Sequence, residues 1–239
     1  MIKHYLKVAF RNLMKYKPQS FVSIIGLAVG FTCFALSVLW IHYEMTYDNF
    51  HEGADRIYLV RAHYANEPGT SKFTPYPLMK YLQDKMPEIE AVTAFTAHYV
   101  KFRMEDTEQE IGMIAADSVF MNFFDIQLLK GTVNFLKCDG QEVAITKEFA
   151  KRLFSKEEDA LGKEVEVGRR VCKIGAIVSG WSNHSNIPYN ILAPARHSPQ
   201  WGSSNEQLLI RVRERTDIDA FRTKMSTVCI NDIEKESEL

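Results

Sequence analysis

Residues 21–41 read FVSIIGLAVGFTCFALSVLWI, a stretch without a charged side chain. Twelve of its 21 residues are Leu, Ile, Phe or Val, and each of these favours membrane insertion by about 0.3–0.6 kcal/mol. As a helix the stretch would be about 31 Å long, whereas the hydrocarbon core of a bilayer is about 30 Å thick. The sequence therefore predicts a transmembrane helix, which we place at residues 18–43.

A cleaved signal peptide is the main alternative, because it also begins with basic residues and continues with apolar ones. Its apolar core is usually about 7–15 residues long and ends at a small-x-small cleavage site. Here the apolar stretch is longer, and the bulky residues Trp40 and Tyr43 close it. These differences favour an uncleaved anchor.

The charges on the two sides of the predicted span differ in sign. Residues 1–20 carry no acidic side chain and five basic ones, which are Lys3, Lys7, Arg11, Lys15 and Lys17. The first charged residues on the other side are Glu44, Asp48, Glu52 and Asp55. Because positive flanks stay in the cytoplasm, the N-terminus is predicted to be cytoplasmic and the chain after about residue 43 to lie outside.

The basic flank also has a helical pattern. Its cations recur every fourth residue, and apolar residues occupy the positions between them from about residue 2 to 16. Residues 1–17 are therefore predicted to form an amphipathic helix on the inner surface of the membrane lipid. A plain basic flank without such a helix is the alternative.

Small residues recur within the predicted span at steps of three and four. They are Ser23, Gly26, Gly30, Cys33 and Ser37. A face of small residues lets another helix approach closely in lipid, where packing drives association. Chance is the alternative, since Gly, Ala and Ser are common in spans, but the continuous register favours a packing face. No second span in this sequence could fill it.

Residues 44–239 contain no further long apolar run and are predicted to fold as a water-soluble α+β domain of one or two subdomains. Strand patterns cover residues 57–63, 91–103, 109–115, 142–146, 164–167, 171–179 and 207–212, with a hairpin turn at residues 168–170. Helix patterns open at Thr74-Pro75 and end at Pro87, and also cover 118–124, 146–154 and a segment capped by Thr216-Asp217. The whole chain has a net charge of −1, so no basic field for nucleic acid is expected.

The sequence lacks the common catalytic motifs. Gly162-Lys163 is followed by Glu164, so there is no phosphate-binding P-loop. His51 to Asp55 begins like a zinc-protease helix but ends in the wrong residue, and His184 lies in a turn-rich stretch with a formal Asn183 sequon. We therefore expect no enzyme activity, metal or cofactor. Three cysteines lie beyond the span, Cys138, Cys172 and Cys229. The sequence leaves two alternatives for them, one disulfide or free thiols.

An ordered series of short motifs resembles a known family. The motifs are YLKVAFRNL at 5–13, DNFH at 48–51, DRIY at 55–58, ADSVF at 116–120, LKG at 129–131, VAIT at 143–146, AKRLF at 150–154, ALGK at 160–163, IGAIV at 174–178 and NHSNIP at 183–188. In this order they resemble MacB-like or FtsX-like ABC transporter permeases of the Bacteroidetes type. The resemblance covers most of the chain.

The resemblance implies a periplasmic core domain held by a span in the bacterial inner membrane. Its partners would be a cytoplasmic ABC ATPase and further transmembrane helices of the same or a second permease chain, in a dimeric assembly. ATP-driven motion would reach the periplasmic domain by mechanotransmission and serve export, for example of antimicrobial peptides. The later spans of such permeases are absent, so the chain is expected to be a fragment or a natural truncation. A single-span binding or sensor domain without transport activity is the alternative.

Overall fold

A computed structural model of the chain describes residues 2–46, 53–64, 68–105, 107–137, 141–181, 185, 187, 189–230 and 232–233. The chain forms two compact units, Met1–Tyr47 and Asp48–Leu239, and each is described on its own. The expected motifs around His51, Asn183 and His184, and the thiol of Cys138, lie outside the described residues.

The first unit consists of two helices, α1 (Ile2–Lys15) and α2 (Lys17–Met45). Pro18 lies in the first turn of α2, where its missing N–H costs nothing because that donor has no partner within the helix. Among the described residues, α2 is the one helix long and apolar enough to cross a membrane. The residue bounds of α1 and α2 are close to those of the amphipathic helix (1–17) and the transmembrane helix (18–43) that the sequence predicts.

The second unit is an α+β domain, as expected. Its strands are β1 (Ile57–Leu59), β2 (Ile89–Met104), β3 (Thr107–Ala116), β4 (Leu128–Gly131), β5 (Glu142–Thr146), β6 (Glu164–Val167), β7 (Arg170–Val178), β8 (Ile191–Pro194) and β9 (Gln207–Val212). Its helices are α3 (Pro77–Lys85), α4 (Ser118–Phe123), α5 (Lys147–Leu153) and α6 (Ile218–Ser226). The strands follow the order β1-β9-β2-β3-β8-β5-β7-β4, and β6 pairs with both β2 and β7.

Strand β2 belongs to two sheets because it is 16 residues long. Its first part, Ile89–Phe95, pairs with β9, which also pairs with β1. Its second part, Thr96–Met104, pairs with β3. We call β1, β9 and the first part of β2, with α3 and α6, the three-stranded lobe. The remaining strands form the barrel lobe.

The barrel lobe is named for its closed circuit of strands. Strands β2, β3, β8, β5, β7 and β6 pair in that order, and β6 pairs back onto β2. The residues on the inner face are buried and apolar, among them Phe102, Ile111, Val143, Val165, Ile174 and Ile191. Phe149 of α5 packs into this interior against Phe102, with ring centroids 5.1 Å apart at 73°. The interior is thus a packed core, as small barrels require.

Several sequence predictions differ from the structure in detail. The predicted strand at 57–63 ends at Leu59; Val60 donates one further bond to Leu208 of β9, and Ala62 then forms an isolated bridge with Ser71. Helix α3 begins at Pro77 rather than at Thr74, since Thr74 forms a bridge with Glu206. Strands β4 and β8 were not predicted, because neither has an alternating pattern.

Candidate functional site

The five small residues of α2 lie on one face of the helix. At about 100° per residue they fall within an arc of about 80°, and all five are exposed. Ser37 donates its hydroxyl to the carbonyl of Cys33 at 2.9 Å, so this polar group is already satisfied within the helix. A Cβ built on Gly26 or Gly30 would meet no described atom within 4 Å. The face is therefore open, and its use for packing stays a prediction.

The two ends of α2 carry the groups expected at a membrane boundary. Arg11, Lys15 and Lys17 are exposed, whereas the side chains of Lys3 and Lys7 lie outside the described residues. Tyr16 lies near the start of α2, and Trp40 contacts Tyr43 near its end with ring centroids 6.2 Å apart. Aromatic rings of this kind favour the headgroup level on both sides of a bilayer.

Arg56 fixes the first described turn after α2 to the three-stranded lobe. Its guanidinium Nη1 donates to Glu90 Oε2 at 2.7 Å and to the carbonyl of Val212 at 3.0 Å. These acceptors lie near the start of β2 and at the end of β9. The next residues form β1, which pairs with β9 from Ile57 to Leu59. A displacement of this turn would therefore act on β1, β9 and β2 together.

A cluster of four polar side chains joins the two lobes. Tyr76 precedes α3 and Glu206 precedes β9 in the three-stranded lobe, while Asp117 follows β3 and His197 follows β8 in the barrel lobe. The ring of Tyr76 stacks on that of His197, with centroids 4.1 Å apart at 4°. His197 Nδ1 lies 3.2 Å from Glu206 Oε1, and Nε2 lies 3.7 Å from Asp117 Oδ2. We call these four residues the junction cluster.

The junction cluster favours a charged histidine. Burial alone would lower the pKa of His197, but Asp117 and Glu206 outweigh it and raise the pKa from 6.5 to about 9. Burial likewise opposes the charge of Asp117, yet His197 and the amides of Phe120 and Val119 hold the pKa of that carboxyl below its usual value. Burial next to the two carboxylates raises the pKa of Tyr76. An ion pair thus links the lobes at neutral pH.

Because of the junction cluster, the free energy of unfolding should fall as the pH becomes alkaline. Because folding raises the pKa of His197 from 6.5 to about 9, its contribution is complete below pH 6.5 and disappears as the pH rises through about 9. We expect the free energy of unfolding to fall by about 1–2 kcal/mol across that window, after allowance for solvent screening. Urea denaturation of the full chain at a series of pH values measures it. In His197→Gln the decline should vanish; an unchanged decline would assign it to another group.

Sequence reasoning missed the junction cluster. Only Asp117 left a signal, because an aspartate before a helix pattern predicts an N-cap, and it does accept bonds from Val119 and Phe120.

The two described cysteines beyond the span also differ from each other. Cys172 is buried in the barrel lobe, whereas Cys229 is exposed. The described residues hold no group of His, Cys, Asp and Glu arranged for a metal ion.

The family of MacB-like periplasmic core domains matches residues 20–228. No curated protein matches the chain at a significant level. Among solved structures, a domain described as part of a permease protein from Porphyromonas gingivalis superposes with a TM-score of 0.58 at 21% identity, covering 72% of this chain and 81% of that one.

Two further structures have a similar fold. The extracellular domain of the noncanonic ABC-type transporter YknZ from Gram-positive bacteria has a TM-score of 0.52 at 14% identity, over 69% of this chain and 86% of that one. The periplasmic region of MacB from Actinobacillus actinomycetemcomitans has a TM-score of 0.50 at 12% identity, over 76% of this chain and 92% of that one. At these identities the likeness concerns the fold.

Proposed function

The chain belongs to the family of MacB-like periplasmic core domains, and from this premise we propose that it is the membrane-anchored relay of an ABC transporter permease. Helix α2 spans the bacterial inner membrane with the basic flank in the cytoplasm, and the second unit lies in the periplasm. A separate cytoplasmic ATPase supplies the motion. The relay delivers it to an exported cargo or to a periplasmic partner, with antimicrobial peptides as the first cargo to test.

The single observation that carries the relay is the clamp made by Arg56. This side chain bonds to groups near the ends of two strands, Glu90 at the start of β2 and Val212 at the end of β9. The pairing of β2 with β9 is irregular between Ile89 and Ala91, and from there β2 continues as one strand into the barrel lobe as far as Met104. A displacement that reaches Arg56 would therefore act on β2, which runs through both lobes.

The partnership with an ATPase is tested by purification. The full chain is tagged, expressed in its native host and extracted in mild detergent, and the bound proteins are identified by mass spectrometry. We expect an ABC ATPase among them, together with ATP hydrolysis by the complex. Recovery of the chain without any ATPase in every mild detergent tried would contradict the proposal and favour the single-span binding or sensor domain.

The clamp is tested with Arg56→Ala in that complex. Nitroxide labels at Val171 in the barrel lobe and Asp219 in the three-stranded lobe, both strongly exposed, report the distance between the lobes. We expect ATP to change this distance in the parent chain and to change it at least threefold less in the variant, while hydrolysis continues. Arg222→Ala is the matched control, because Arg222 is exposed and its ion pair within the described part of the chain is with Asp219 at 3.7 Å. Because Arg222 pairs with Asp219, the control variant and its own parent chain carry the second label at Lys80 instead of Asp219. Equal responses of the two variants would remove Arg56 from the relay.

A further inference from the structure

One end of the barrel interior opens to solvent as a cleft of about 390 Å³. The inward-facing register of the strands continues from the buried core into this cleft. Val100 lies opposite Ile111 in β3, and His98 lies opposite Met113, while Ala115 lies beside Ala193 of β8. The floor of the cleft is therefore the last layer of inward-facing side chains at this end of the barrel core. Barrel mouths are a common place for ligand sites.

The rim of this mouth is cationic. Its charge comes from Arg169, Arg170 and Arg196, which lie with the imidazole of His98 around the cleft, and the described lining includes no acidic side chain. Two acidic residues on the strands beside the cleft, Glu108 of β3 and Glu166 of β6, pair instead with Arg103. The rim therefore concentrates positive charge on a chain whose net charge is −1.

The hairpin between β6 and β7 holds two of the arginines in place. Its turn begins at Gly168, which has a φ of +64° and donates its N–H to the carbonyl of Lys101 in β2 at 2.7 Å. Val167 pairs with Arg170 and also belongs to the inner face. The turn is thus held by hydrogen bonds to two strands, β2 and β7. Its fixed backbone places Arg169 and Arg170 at the border of the cleft.

We propose that the barrel mouth binds an amphiphile with a phosphate head group and a short alkyl tail. The tail lies on the apolar floor around Val100 and Met113, and the phosphate accepts hydrogen bonds from Arg169 and Arg170. Guanidinium groups suit phosphate because they donate two parallel hydrogen bonds. The apolar floor favours a ligand with a tail over inorganic phosphate, since burial of the tail adds to the affinity.

The test uses the full chain in nanodiscs of zwitterionic lipid, with methionine methyl groups labelled with carbon-13. The methyl signal of Met113 is assigned with Met113→Leu and followed by NMR during titration with octyl phosphate. We expect a saturable shift of this signal and no shift of Met225 in the other lobe. Octyl glucoside has the same tail without a charge, and inorganic phosphate has the charge without a tail; both should bind at least tenfold more weakly.

The charge requirement is tested with the double variant Arg169→Gln and Arg170→Gln. We expect its Kd for octyl phosphate to rise at least tenfold, whereas the matched double variant Lys80→Gln and Arg222→Gln, on the three-stranded lobe, should leave Kd within twofold. Partition of octyl phosphate into the nanodisc is common to all variants, so the ratio of Kd values is unaffected. Equal binding of octyl glucoside or of inorganic phosphate, an unchanged Kd in the arginine variant, or no saturable shift would each overturn the proposal.

Discussion

Replacing Gly131 by alanine is expected to lower the free energy of unfolding of the second unit by about 3–5 kcal/mol. Gly131 ends β4 with a φ of +85°, a conformation that costs an L-residue about 1–2 kcal/mol. An added Cβ would also overlap the carbonyl oxygen of Gly175 and lie 2.8 Å from the Cα of Ala176. Both obstacles are backbone atoms of β7, which no change of rotamer can move.

The surroundings of Gly131 make this overlap costly to relieve. Strand β7 pairs with β5 along one edge and with β6 and then β4 along the other, and Ala176 is fully buried. A shift of β7 would therefore disturb the closed circuit of the barrel lobe. Urea denaturation of the full chain in detergent micelles, followed by tryptophan fluorescence, measures the loss of stability.

Gly162→Ala is the matched control. Gly162 also has a positive φ, +78°, but an added Cβ would meet nothing within 4 Å. This variant should lose only about 1–2 kcal/mol, the cost of the backbone conformation alone. Similar losses for the two variants would show that the close approach of β4 to β7 is not the cause.

Local sequence patterns predicted most of the helices and strands of the second unit. Strands β5, β6 and β9 occupy the predicted residues, because runs of alternating or β-branched residues favour extended backbone in almost any surroundings. Helix α6 begins after Asp217, as its cap predicts. Strands β4 and β8 were missed because neither has an alternating pattern, and their pairing with β7 and β3 decides their conformation.

The tertiary features were beyond local patterns. The hairpin turn at Gly168 was visible in the sequence, but the second pairing of β6 with β2 closes the barrel circuit only through residues far apart in the chain. The junction cluster brings Tyr76 and His197 into ring contact across 120 positions. A contact between residues so far apart in the chain has no periodic pattern in the sequence from which it could be predicted. The small face of α2 was predictable, since a helix converts spacing directly into geometry.

The variant Gly26→Leu with Gly30→Leu is expected to weaken association between copies of α2 at least tenfold. Both glycines lie at the middle of the small face, where a Cβ would meet no described atom. Association in lipid depends on close backbone approach, because lipid and leucine are equally apolar and burial gives little gain. Two leucine side chains would hold the helices apart. A tenfold loss corresponds to about 1.4 kcal/mol.

The measurement is energy transfer between labelled full-length chains in liposomes, as a function of the protein-to-lipid ratio. Ala28→Leu with Ala35→Leu is the matched control, because these alanines lie on the opposite side of α2 at about 100° per residue. The control adds similar volume and apolarity, so it reports any effect on insertion or lipid packing alone. A loss in the first variant and none in the control would locate the interface on the small face. Equal losses would assign the effect to lipid, and no loss in either would exclude a second copy of α2 as the occupant of this face.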